Sequence, residues 1–134
     1  MLELESKIGK IKSTEENVYN FLSDFNNFQE LIPEDKIRNW ESTDNSCHFT
    51  LDGIGDTGMR IIEKEPFKLI KITGEENSKI DFNFWIQLKQ IEENATRIKL
   101  TIKANINTMI QMIAKKPLQT FLDSLVDQLE IFNF

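Results

Sequence analysis

Few residues in this chain are of reactive types, and spacing limits what each could do. Gly53-x-Gly55-x-x-Gly58 matches the spacing of a dinucleotide-binding turn. That turn works only where a helix starts at the glycines and offers its N-terminal amides to a pyrophosphate. Here Met59-Arg60-Ile61-Ile62 follows. Its β-branched residues predict a strand, so the glycines read as a turn whose backbone needs freedom or close approach. Cys47 and His48 are neighbours and suggest a thiol–imidazole pair. Neighbours in a strand point to opposite faces, which separates them. Cys47 shares the phase of Phe49 and Leu51 and reads as core. His48 reads as solvent-facing, with no partner placed for acid–base work.

The carboxylates fall mostly where solvated charges belong. Glu15 and Glu16 open a helical segment, Glu75, Glu76, Glu92 and Glu93 fall at turns, and Asp123, Asp127 and Glu130 line the polar side of another helix. Asp123 and Asp127 stand one helical turn apart, but no further metal ligands are placed beside them. Asp56 and Glu63 are the carboxylates to watch, because burial would raise their pKa.

Composition narrows the chemistry further. The chain has 134 residues, 16 Lys+Arg against 22 Asp+Glu, and a formal charge of −6. A single Cys makes no internal disulfide, and one Cys with one His cannot supply a structural zinc site. No metal or other cofactor is expected. The acidic balance argues against nucleic acid. Arg97, Lys99 and Lys103 alternate with Ile98, Leu100 and Ile102 and read as the outer face of a strand. Trp85 lies on the outer phase of a neighbouring strand, between Asn83 and Gln87. It marks either a contact surface, making the protein a homodimer rather than a monomer, or packing against the Arg97 and Lys99 stems. The N-terminus is charged and lacks an apolar core, and no run reaches the ~18 apolar residues of a membrane span. The expectation is a cytoplasmic protein that does not span the membrane, with one domain over residues 1–134.

Periodicity supplies the elements. Leu2, Leu4 and Ile8 predict a first strand, with a bulge near Gly9 because Ile11 falls off that register. Ser13-Thr14-Glu15-Glu16 fits a capping box with Ser13 as N-cap and Glu16 reaching back. Val18, Phe21, Leu22 and Phe25 keep helical spacing, and Phe28, Leu31 and Ile32 extend it to Pro33. This predicts one interrupted helix or a pair of short ones. From Lys36 to Ile106 the period is two, predicting six strands in an antiparallel meander. One of these runs from Phe67 to Thr73, with a turn at Glu75-Glu76-Asn77-Ser78. From Met109 to Phe132 the apolar spacing is three and four again, predicting one long helix that Pro117 kinks or breaks. The fold class is α+β, a curved antiparallel sheet of about seven strands wrapped around a long C-terminal helix, with two short helices after the first strand.

This order resembles the SRPBCC superfamily of START-like, birch-pollen-allergen-like helix-grip proteins. It looks most like the small bacterial polyketide-cyclase-like members. The supporting features are the helical pair ending at Leu31-Ile32-Pro33, the turn Asp52 to Gly58, the strand start Glu65-Pro66-Phe67 and the helix Thr108 to Phe132. The resemblance implies a cavity between sheet and helix that takes a hydrophobic or amphiphilic small molecule or a lipid.

The expected lining is aromatic and Met-rich. Phe25 and Phe28 come from the short helices. Phe49, Met59, Ile61, Ile72, Phe82, Phe84 and Leu100 come from the strands. Met109, Met112, Ile113 and Phe121 come from the last helix. Gly53, Gly55 and Gly58 are the expected gate loop. Two other readings stay open: a cyclase or aromatase of the same fold, ranked below binding, and an interaction module with a filled core.

Overall fold

The computed structural model describes residues 1–32, 35–75 and 80–134. In chain order it contains β1 (Leu2–Glu5), β2 (Gly9–Ile11), α1 (Glu15–Leu22) and a 3-10 helix (Phe25–Glu30). Then come β3 (Ile37–Ser42), β4 (Ser46–Leu51), β5 (Gly55–Glu65), β6 (Leu69–Gly74), β7 (Asp81–Glu92), β8 (Ala95–Asn105) and α2 (Thr108–Ile131). The strands form one antiparallel sheet in the order β1-β8-β7-β6-β5-β4-β3, with β2 also paired to β8. The sheet is curved and the architecture is the expected α+β helix grip. The stop expected at Pro33 and most of the turn expected at Glu75–Ser78 lie outside the described residues.

The first strand is divided rather than continuous. Glu5 pairs with Thr101 but Gly9 pairs with Ile98, a register change of one residue. Ser6 fills the gap. Its N–H donates to the Leu100 carbonyl at 2.8 Å, and its Oγ accepts from the Leu100 N–H at 2.9 Å. Ile8, expected on the inner face, is therefore turned out to solvent, while Ile11 returns to the core. Gly9 permits the close approach of β2 to α2. A Cβ there would stand 2.7 Å from both Ile98 Cγ2 and Val126 Cγ1.

The α1 cap shifts by one residue from the expected box. Thr14 is the N-cap, and its side chain accepts from the Asn17 N–H. Ser13 is instead buried, and its carbonyl accepts from Thr96 Oγ1 at 2.8 Å. Glu15, not Glu16, makes the long-range tie. Its carboxylate accepts from Lys68 Nζ at 2.7 Å and from the Gln90 N–H at 3.1 Å. The sixth strand starts later than expected. Phe67 takes a left-handed φ of 68° in a turn closed by Lys68 N–H to the Glu65 carbonyl, so pairing begins at Leu69. The Phe67 ring meets Tyr19 edge-on at 5.7 Å.

Helix α2 runs unbroken through Pro117. Its inner stripe is Ala114, Leu118, Phe121, Leu122, Leu125, Val126 and Leu129. Met109, Met112 and Ile113 do not belong to that stripe. They are 73%, 80% and 61% exposed, which corrects their expected inward orientation. The reason is the five-residue step from Ile113 to Leu118. At 3.6 residues per turn it rotates the apolar face by about 140°. Two short stripes on different faces were legible as one long one.

Two stability experiments check these assignments. Phe121→Ala should cost about 3–5 kcal/mol in urea unfolding, whereas Met112→Ala should fall within about 0.5 kcal/mol of the parent. The second concerns pH. The Lys68 hydrogen bond holds the Glu15 carboxyl below its ordinary value. Stability from a lowered carboxyl is present above the unfolded-state pKa and is lost as pH falls through the native one. Glu15→Gln should therefore lower the denaturation midpoint at neutral pH. The two midpoints should converge on acidification below the carboxylate range.

Candidate functional site

Helix α2 crosses the concave face of the sheet and seats Phe121 between β4 and β7. The Phe121 ring stacks on Phe49 at 6.3 Å and meets Phe84 near-perpendicularly, also at 6.3 Å. Phe49 stacks in turn on Trp40 at 5.4 Å, and Trp40 on Phe28 at 6.3 Å. Phe28 then meets Phe25 at 5.0 Å. One aromatic row thus runs from the 3-10 helix across β3 and β4 to α2. Such pairs add to the stabilisation from burial alone.

Beside this row lies an apolar crevice between sheet and helix. Phe49, Met59, Phe82, Phe84 and Phe121 line it, all of them expected from the strand and helix phases. Leu51, Ile54, Ile80, Ile102, Ala104 and Leu118 complete the walls. Most of these share the inward alternation that the sequence shows, since Leu51 continues the phase of Phe49 and Ile102 that of Leu100. Thr57 is the one polar side chain among the described lining residues. The free space is about 30 Å³. That holds a water or two, against the roughly 300 Å³ or more of an open ligand pocket.

The remaining expected lining residues lie elsewhere. Ile72 and Leu100 are fully buried in the sheet core, outside the crevice walls. Phe25 and Phe28 sit in the aromatic row. Ile61 is half-buried and precedes a register shift in β5. Met109, Met112 and Ile113 are on the outer side of α2, as described above.

The glycines also separate. Gly53, with φ +86°, belongs to the turn between β4 and β5 and lies against Pro117. Gly55, with φ +111°, begins β5. Gly58 is inside β5, where a Cβ would stand 2.8 Å from His48 Cδ2 and 2.9 Å from Glu75 Cγ. A strand, not a helix, follows these glycines, so no helix N-terminus is available for a pyrophosphate. Only the turn Asp52–Ile54 overlies α2 as a gate would.

A second space opens on the surface above that turn. It is a groove of about 260 Å³ lined by Lys36, Asp52, Gly53, Lys116, Thr120 and Ser124, with Leu51, Pro117 and Phe121 in its walls. Leu51 and Phe121 therefore border both the groove and the crevice. The sequence could not show this, because Lys36 and Lys116 are brought together only by the grip of the sheet on α2.

Reactive groups stay out of the crevice. Asp56 and Glu63 are exposed, and Asp56 Oδ1 accepts from Thr50 Oγ1 at 2.8 Å. Cys47 is buried and His48 exposed, on opposite faces of β4. Burial pushes the Cys47 thiol far above its ordinary value. No cluster of three or more His, Cys, Asp or Glu side chains suited to a metal occurs among the described residues. On the outer sheet face Trp85 is half-buried beneath Lys71 Nζ and Lys103 Nζ, 5.5 and 5.7 Å from its ring. The lysines covering it are thus not the Arg97 and Lys99 of the sequence reading. Among the described residues no helix is long and apolar enough to cross a membrane.

A curved sheet gripping a long C-terminal helix over an apolar crevice defines a START-like protein of the SRPBCC type. Solved structures share the architecture at low identity. A START superfamily protein from Mycobacterium smegmatis is 11% identical with a TM-score of 0.69, covering 96% of this chain and 94% of that one. The Aha1 dimer from Colwellia psychrerythraea is 22% identical with a TM-score of 0.63, covering 98% of each chain. The di-domain aromatase/cyclase BexL, from the BE-7585A biosynthetic pathway, is 12% identical with a TM-score of 0.73, covering 97% of this chain and 45% of that one. The chain belongs to the CoxG family, that of the G-type subunit of carbon monoxide dehydrogenase, whose profile matches residues 9–131. No curated protein sequence matches it.

The buried thiol gives a direct test of the core. A high-pKa, inaccessible thiol has almost no thiolate to react. Cys47 should resist a disulfide-exchange reagent such as Ellman's in the native protein and react promptly in denaturant. Fast native labelling would place Cys47 at the surface and the phase of β4 with it.

Proposed function

We propose that this protein is a binding protein for a hydrophobic or amphiphilic small molecule, which it takes into the crevice between β4, β5, β7, β8 and α2. The observation that carries this is the wall itself: eleven apolar side chains and Thr57 converge on a space that opens toward a surface groove through Leu51 and Phe121. The driving force would be burial of apolar ligand surface, about 25 cal/mol per Å² before the cost of ordering.

The resting space is too small for such a ligand, so binding would widen it. The Asp52–Ile54 turn is the natural element to move. It rests on Pro117 at van der Waals range, and two residues of positive φ, Gly53 and Gly55, flank Ile54. The Met59 and Leu118 side chains can repack without breaking hydrogen bonds. The described carboxylates and His48 lie off the crevice, which favours binding over the proton transfers of a cyclase. A protein that carries or presents a small apolar molecule also suits a family whose namesake is one component of a larger enzyme.

Methyl NMR with decanol as the probe tests this reading. Saturable shifts are expected at Leu51, Ile54, Ile80 and Leu118. Ile62 and Ile91, exposed on the far side, should stay fixed. No saturable shift, or shifts confined to Met109 and Met112, would overturn it.

A further inference from the structure

We infer that the groove at Lys36 and Lys116 receives the anionic head of a single-chain amphiphile whose tail enters the crevice. This rests on the crevice being the ligand site and adds the class of ligand.

The charge pattern is the first ground. Acidic residues outnumber basic ones in this chain, 22 to 16. Lys7, Lys68, Lys99 and Lys103 each pair with a carboxylate. Among the described residues Lys36 and Lys116 form no ion pair, yet both line one groove. Two ammonium groups left in the same groove repel, and an anion placed between them removes that repulsion. Thr120 and Ser124 follow Lys116 at four-residue intervals along α2, on one side of the helix. Both line the groove, and their hydroxyls make no protein hydrogen bonds among the described residues. Two cations and two free hydroxyls form a donor set for a carboxylate or a phosphate monoester. Asp52 lines the same groove and opposes that anion.

Shape is the second ground. The groove holds about 260 Å³, enough for a head group and the first part of a chain. Its inner wall, Leu51 and Phe121, is the outer wall of the crevice. A molecule that satisfies both spaces has a charged end and a thin apolar end. A single alkyl chain fits the narrow gap beside Phe121, where a fused-ring system or a two-chain lipid would have to unseat that ring from Phe49 and Phe84.

Titration calorimetry with decanoate, decyl phosphate and decanol, each below its aggregation concentration, tests the inference. The unmodified protein should prefer an anion over decanol by about tenfold, the scale of one charge-assisted contact. Lys36→Gln with Lys116→Gln should erase that preference and leave decanol affinity unchanged. Asp52→Asn should enlarge it. Decanoate the tighter of the two anions would point to a fatty-acid head, and decyl phosphate the tighter to a phospholipid-like one; either supports the inference. Equal binding of all three, or a preference that survives in the double variant, would overturn it while leaving the crevice as the binding site. Failure of all three to bind would remove both readings together.

Discussion

The structure depends on one contact, the insertion of Phe121 between Phe49 and Phe84. An antiparallel sheet with one apolar face is not stable until something covers that face. Here α2 is the cover, and Phe121 locks it in place against β4 and β7. The same ring extends the aromatic row to Trp40 and the 3-10 helix, so both ends of the chain's helical material are referred to one side chain. At the other end of α2, Val126 presses on the backbone of Gly9, where no larger residue fits. The helix is thus held at two points, one made by a large side chain and one by the absence of any.

That mode of clamping also shapes the site. Because Phe121 fills the middle of the grip, the crevice that remains is small, and its access runs past Phe121 rather than through an open mouth. The fold therefore couples stability to ligand access: the ring that holds α2 down is also the wall between crevice and groove. A protein built this way trades an open, preformed pocket for a dry core that must yield to be occupied. The turn at Gly53 and the proline of α2 meet at that junction, where small backbone shifts cost least.

The alternation of Cys47-Phe49-Leu51, Phe82-Phe84-Ile86-Leu88 and Ile98-Leu100-Ile102-Ala104 makes the sheet and its inner face legible in the sequence. A period of two assigns each side chain to a face without ambiguity. The helix is less legible. Met109, Met112 and Ile113 keep the right local spacing, but helical phase accumulates, and the step to Leu118 carries them to the far side. The cap at Thr14 and the divided first strand escape sequence reading for a related reason. Ser13 and Ser6 are polar residues whose hydrogen bonds go to β8, and their local motif gives no sign of it.

By itself, then, the sequence determined the element order, the α+β class, the inward set of the strands and the lack of reactive groups on those phases. These follow from periodicity and residue type, which are local properties. The tertiary structure decided which face of α2 is buried, how nearly the interior is filled, and that Lys36 and Lys116 share a groove. Those depend on the angle and depth at which the helix is gripped. That geometry is set by long-range packing between residues far apart in the chain, and no local pattern encodes it.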